Sequence, residues 1–167
     1  MGGSWTIANG DLNHPATADN GLEHSIDQGP TFRPPFTIRV AWRLVSLPVL
    51  YGGFTLLVDT DANATHAIGC SLFHGTLVSG SEAYGASYIS DFTDMSEFTE
   101  FTSAPTLGEY TSILIYDPAV ASTCTVRSED GANSQSASKA EPLPPPGTLG
   151  FGVKGTAFRV HSIVIYN

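Results

Sequence analysis

Phe36, Ile38, Val40, Trp42 and Leu44 alternate with Thr37, Arg39, Ala41 and Arg43. Strict alternation puts the apolar set on one face of a strand and the polar set on the other, so this segment reads as a half-buried strand. Other segments read the same way. Trp5-Thr-Ile and Asp11-Leu-Asn flank Asn9-Gly10, a pair that tolerates positive φ and marks a hairpin turn. Gly53 to Asp59 and His66 to His74 form a further antiparallel hairpin around a polar tip. Residues 83–90 make a weaker strand. Tyr110 to Tyr116 is a strand stopped by Asp117-Pro118, and Thr123 to Arg127 pairs with it. Gly147 to Tyr166 closes the chain as two apolar strands around a glycine turn.

Four stretches break the pattern. Pro34-Pro35 ends a connection, and Pro142 to Pro146 is stiff and extended. Residues 128–141, rich in Ser, Ala, Asn and Gly, read as a solvated loop or a weak edge hairpin. Asp91 to Glu100 reads as a helical turn or a ragged loop. About ten to twelve short strands with no helix beside them must bury sheet against sheet. The expected fold is all-β, an antiparallel two-sheet β-sandwich, with residues 1–167 as a single domain.

Composition narrows the function classes. The chain has 167 residues, 41% of them hydrophobic and 14% charged, which excludes a disordered acidic tail. Seven Lys plus Arg against sixteen Asp plus Glu, a net charge of -9, argue against nucleic acid, whose phosphates need clustered cations. No apolar run reaches the roughly 20 residues of a membrane-spanning helix, so no membrane insertion is expected. Met1-Gly-Gly-Ser4 lacks a basic start and an apolar stretch. The expectation is a chain exported without a signal of its own, or one whose signal has been replaced. Cys70 and Cys124 are the only cysteines; a bridge between them and a pair of buried thiols are both open.

The pattern Trp5-x3-Asn9-Gly10-x-Leu12, then Gly21-Leu22, then Phe36-Thr-Ile-x-Val-x-Trp-x-Leu44 and Gly53-Phe-x-Leu-Leu resembles concanavalin A-like (laminin G-like) jelly rolls. Pro146-Gly-x-Leu-Gly-Phe-x-Val-x-Gly155 with Phe158-x-Val-x-Ser-Ile163-x-Ile165 is similar to the family's closing hairpin. The resemblance implies a jelly roll. It does not imply one activity, because that fold hosts lectins, glycosidases, lyases and adhesion domains. The family's retaining glucanases carry a closely spaced Glu, Asp and Glu. No Glu-x-Asp-x-x-Glu occurs here, and Trp5 and Trp42 are the only tryptophans.

Several groups are chemical candidates. Asp59, Asp61 and Asn63 place oxygen atoms at alternate positions, as a Ca2+ site could use. The plainer reading is a polar hairpin tip. Position six of an EF-hand would be Ala64, and position twelve Cys70. Asp91, Asp94, Glu97 and Glu100 recur every three residues and would share a face of a helical turn, the kind of carboxylate pairing a glycosidase uses; the interleaved phenylalanines favour a loop anchored to the core. His66, His74 and His161 stand in no metal or triad pattern. Arg39 and Arg43 lie opposite the apolar stripe of their strand. The site expected is a groove lined by Arg39, Arg43, His74, Tyr84 and Tyr88, where guanidinium forks and phenols meet sugar hydroxyls.

The function expected is a non-catalytic carbohydrate-binding or adhesion module with a glycan partner, located extracellularly or on a cell or virion surface. A self-associating structural or coat protein is the alternative, and a glycoside hydrolase or lyase the third.

Overall fold

The computed structural model describes residues 5–15, 23–26, 33–59, 67–90, 97–140 and 147–166. Among them are thirteen strands and no helix: β1 (Thr6–Ala8), β2 (Asp11–His14), β3 (Glu23–Ile26), β4 (Phe36–Leu44), β5 (Gly52–Asp59), β6 (Ala67–Thr76), β7 (Glu82–Ser90), β8 (Glu97–Glu100), β9 (Gly108–Tyr116), β10 (Ser122–Ser128), β11 (Ser134–Lys139), β12 (Thr148–Lys154) and β13 (Phe158–Tyr166). They form a seven-stranded sheet, β1-β2-β13-β4-β9-β10-β11, and a six-stranded sheet, β3-β12-β5-β6-β7-β8. Every pairing between neighbours is antiparallel. The two sheets pack face to face as the expected sandwich.

Alternation drives that packing. In β4 the five apolar residues are buried, while Arg39 and Arg43 point out and are exposed. Facing them from the other sheet are Phe54, Leu56, Val58, Cys70, Leu72, Phe151 and Val153. Burying each large side chain stabilises the fold by about 1.5–3 kcal/mol. Trp42 is central: its ring lies 4.4 Å from Phe54 and 5.1 Å from Tyr110, and its indole N–H donates to Ser112 Oγ at 3.0 Å. Trp5 packs at the end of the core, edge-on to His14 and Phe158.

Most expected strands are present. Asn9 (φ 56°) and Gly10 (φ 87°) turn β1 into β2, as the dipeptide requires. β5 pairs with β6, and β9 with β10. The polar segment after Ser128 contributes the edge strand β11, held by side-chain hydroxyl contacts between Thr125 and Ser136 and between Thr123 and Ser138.

Two expectations change, and one open alternative is decided. The closing segment is not a hairpin. β12 pairs with β3 and β5 in one sheet, whereas β13 pairs with β2 and β4 in the other. The chain crosses between layers over residues 155–157, tied to the 45–49 loop by Val45 N–H donating to Ala157 O and Val49 N–H to Gly155 O. Glu97 to Glu100 is a strand rather than a helical turn or a ragged loop, since Gly85 to Tyr88 offers it an edge to pair with. Cys70 and Cys124 are bridged, joining β6 of one sheet to β10 of the other with Cα atoms 4.8 Å apart.

Candidate functional site

A sandwich has two outer faces, and here they differ. On the six-stranded sheet the outward residues Thr55, Leu57, Ser71, Phe73, Ser87 and Ile89 are all buried. Their hydroxyls are engaged locally: Thr55 donates to Ser71 Oγ, and Ser87 donates to Glu97 O. The outer face of the seven-stranded sheet is open and polar. Arg39, Arg43, Arg127 and Arg159 all point outward from β4, β10 and β13 and are exposed.

Register assembles this face in cross-strand rows. Ala41, Thr111, Arg127 and Ser134 form one row across β4, β9, β10 and β11; Arg39, Ile113, Thr125 and Ser136 form the next. Ala41 and Thr111 are the smallest outward side chains of β4 and β9, so the sheet dips between larger neighbours. The resulting depression holds about 560 Å³, lined by Arg39, Arg127, Glu109, Ser134 and the turn residues Glu129 and Gly131 as well as that floor. The turn is firm. Asp130 accepts from the Ser128 hydroxyl and from Ala132 N–H, and these bonds, the Ser128 one foremost, hold its carboxyl below the ordinary aspartate range.

Glu109 is held on both oxygens. Arg43 Nη1 lies 3.4 Å from Oε1 and His161 Nε2 lies 3.0 Å from Oε2. His161 reaches this position because β13 bulges between Val160 and Ser162, and its other ring nitrogen lies 3.0 Å from Asp11 Oδ1. Beneath the face, Tyr110 donates its hydroxyl to Thr106 O at 2.8 Å. Burial pushes its phenol above the ordinary tyrosine value.

The five residues expected to share a groove do not meet. Arg39 and Arg43 belong to the open face just described. His74, Tyr84 and Tyr88 belong to the other sheet and carry the parity of the inward residues Leu72 and Ala86. Tyr88 is 0% exposed, in the core. His74 and Tyr84 stack at 4.0 Å at the end of the sandwich, where His74 Nδ1 lies 3.1 Å from Pro48 O and Nε2 lies 3.4 Å from Glu82. Burial, with a smaller contribution from Glu82, raises the Tyr84 phenol. The His74 ring thus ties β6 to the loop at Pro48 and faces Glu82 of β7.

Of the calcium candidates, Asp59 ends β5, and Asp61 and Asn63 lie outside the described residues, as do His66, Asp91 and Asp94. Glu97 and Glu100 lie on opposite faces of β8, three residues apart in a two-residue period, so they do not form a carboxylate pair. No cluster of three or more His, Cys, Asp or Glu placed to hold a metal occurs among the described residues.

Arg127, Glu109, Thr111 and Ser134 were not singled out in sequence. Their parity was readable, but their alignment beside Arg39 depends on the register of four strands. Tyr166 was missed as well: it lies opposite Thr37 and is 56% exposed, diagonal to Arg39 on the same face.

No protein-family model matches the chain, and no curated protein matches it in sequence. Solved structures do match. The carbohydrate binding module CBM66 from Bacillus subtilis superposes with a TM-score of 0.66 at 10% identity, over 99% of this chain and 92% of that one. The VIP36 exoplasmic/lumenal domain in its Ca2+/Man3GlcNAc-bound form gives 0.72 at 10% identity, over 99% and 81%. Winged bean acidic lectin complexed with methyl-α-D-galactose gives 0.70 at 11% identity, over 98% and 89%. Identities this low bear on the fold alone, and the fold is the concanavalin A-like jelly roll.

Proposed function

We propose that this chain is a carbohydrate-binding module whose glycan lies on the outer face of the seven-stranded sheet. The observation that carries this reading is the depression of about 560 Å³ that combines Arg39 and Arg127 with the hydroxyls of Thr111 and Ser134 and the carboxylates of Glu109 and Glu129. Vicinal sugar hydroxyls each donate and accept, and arginine forks beside carboxylates and hydroxyls satisfy both roles. Tyr166 offers an exposed ring beside Arg39. The similar structures support the reading, since they include a carbohydrate binding module, the VIP36 domain in a Man3GlcNAc-bound form and a lectin complexed with methyl-α-D-galactose. An extracellular setting is supported by the Cys70–Cys124 bridge, because disulfides persist in oxidising compartments.

The test is a glycan array on the protein and on the Arg39→Ala and Arg127→Ala variants, run with calcium and with chelator. Selective binding lost in both variants is expected. Selective binding unchanged by either would place the glycan elsewhere, and a blank array would sink the reading. Loss in chelator would bear on the sequence expectation at Asp59, Asp61 and Asn63.

A self-associating structural protein is the second reading, favoured by one feature. Beyond Val160, β13 pairs only with β4 among the described residues, and Ile163, Val164 and Tyr166 there are 39%, 42% and 56% exposed. An open apolar edge of this kind can pair with another strand. Sedimentation showing a strict monomer at high concentration would remove this reading.

A further inference from the structure

We infer that the depression on the seven-stranded sheet selects an acidic sugar, holding a uronate carboxylate or a sulfate ester between Arg39 and Arg127. The inference rests on the carbohydrate-binding reading of the same face and names the class of glycan.

Charge placement is the first argument. The chain carries a net charge of -9, yet four of its seven basic residues, Arg39, Arg43, Arg127 and Arg159, point out of one sheet. On an acidic protein, a generic polyanion surface would be opposed by the overall field, so cations gathered on one face act at short range.

The second argument is which of those cations are free. Arg43 is taken up by Glu109. Arg39 and Arg127 make no ion pair among the described residues, and both line the depression. Of the acids nearby, Glu109 is paired with Arg43 and Asp130 is engaged by its own turn, while His161 sits between Glu109 and Asp11 and as a neutral ring donates to one of them. Glu129 remains as the one lining carboxylate without such a partner among the described residues.

Geometry supplies the third. Arg39 and Arg127 stand two strands apart, on either side of β9, and one outward row apart along the strands. At the usual strand spacing this separates their backbones by about 10 Å across the sheet. Ala41 and Thr111 leave the space between them open. Two guanidinium groups over a small-residue floor suit a planar carboxylate or a sulfate, which accept paired N–H donors. Thr111 and Ser134 are left to meet the hydroxyls of the ring.

The experiment compares acidic polymers with neutral counterparts on the full chain. Affinity electrophoresis and calorimetry would use polygalacturonate against its carboxyl-reduced form, and dextran sulfate against dextran. At least one acidic polymer is expected to bind about tenfold or more tightly than its counterpart. Arg39→Ala and Arg127→Ala should each remove about tenfold of that preference, and Arg127→Lys should restore only part of it. Raised salt should weaken the acidic binding alone. Which acidic polymer binds separates carboxylate from sulfate. Thermal melts check folding, and both arginines are exposed.

Equal binding of acidic and neutral forms, lost in the variants, would overturn the acidic preference and leave the glycan reading standing. Acidic binding that both variants retain would overturn the arginine assignment. Equal retention on single-stranded DNA would overturn a sugar as the occupant. Retention of none of the four polymers would overturn the inference, while the glycan array decides the wider reading separately.

Discussion

Replacing Cys70 and Cys124 together by alanine cuts the covalent link between the two sheets. The bridge spans 54 residues of sequence, and the segment it closes contains β7, β8 and β9. In the chain-entropy account, a closed loop of that length stabilises the folded state by ~4 kcal/mol, through restriction of the unfolded chain. Both cysteines are fully buried in the core, so lost sulfur packing adds to this rather than offsetting it. With a urea dependence of about 2 kcal/mol per molar, the unfolding midpoint should fall by roughly 2 M. The assay is equilibrium urea unfolding followed by tryptophan fluorescence, since Trp42 is at the centre of the core and Trp5 at its end. Oxidised wild type, reduced wild type and the double variant would be compared. Both the reduced protein and the double variant should fall below the oxidised protein, the double variant further, because it also loses the buried sulfur packing. A loss below about 1 kcal/mol in both would refute the reasoning, by showing that the two sheets constrain the chain without the bridge. The arginines of the open face should be unaffected while the protein stays folded, because Arg127 is held by the pairing of β10 with β9 and β11.

Further outcomes follow from single contacts. Ser112→Ala leaves the buried Trp42 indole N–H without its acceptor and should cost about 1–3 kcal/mol in urea unfolding. Gly53→Ala places a Cβ 2.2 Å from Leu72 O, a backbone atom that cannot swing aside, so the melting temperature should drop sharply; Gly80→Ala, with open space around it and only its positive φ to strain, should drop it much less. Tyr110 should ionise above the ordinary tyrosine range in a spectrophotometric titration at 295 nm, because its phenol is buried. Its native value is raised, so the stability it contributes is present below the unfolded value of about 10 and is lost as pH rises through the native one. A Tyr110→Phe variant should lack that high-pH loss.

How much was legible in advance differs by level. The alternation in Phe36 to Leu44 foretold which five side chains enter the core and that Arg39 and Arg43 leave it. Asn9-Gly10 foretold a turn, and the jelly-roll resemblance rested on apolar spacing of the same kind. These are local properties: a strand's two faces follow from a period of two, and a turn follows from the φ angles that two residues can adopt. Partition between sheets is not local. The last two strands read as a hairpin because they are adjacent and apolar, but each layer of the sandwich needed one of them to complete its row. Pairing of Cys70 with Cys124 across the layers, rather than between neighbouring strands, depends on the same partition. The groove expected from Arg39, Arg43, His74, Tyr84 and Tyr88 failed for that reason too, since parity within a strand does not say which sheet the strand joins. Residue pattern settled what β4 buries, but not what β6 and β7 bury, since both of their faces are covered. Only the folded registers of β4, β9, β10 and β11 could set Arg39 beside Thr111, Arg127 and Ser134, because residues 72 to 95 positions away from it in sequence meet it only when the whole sheet has formed.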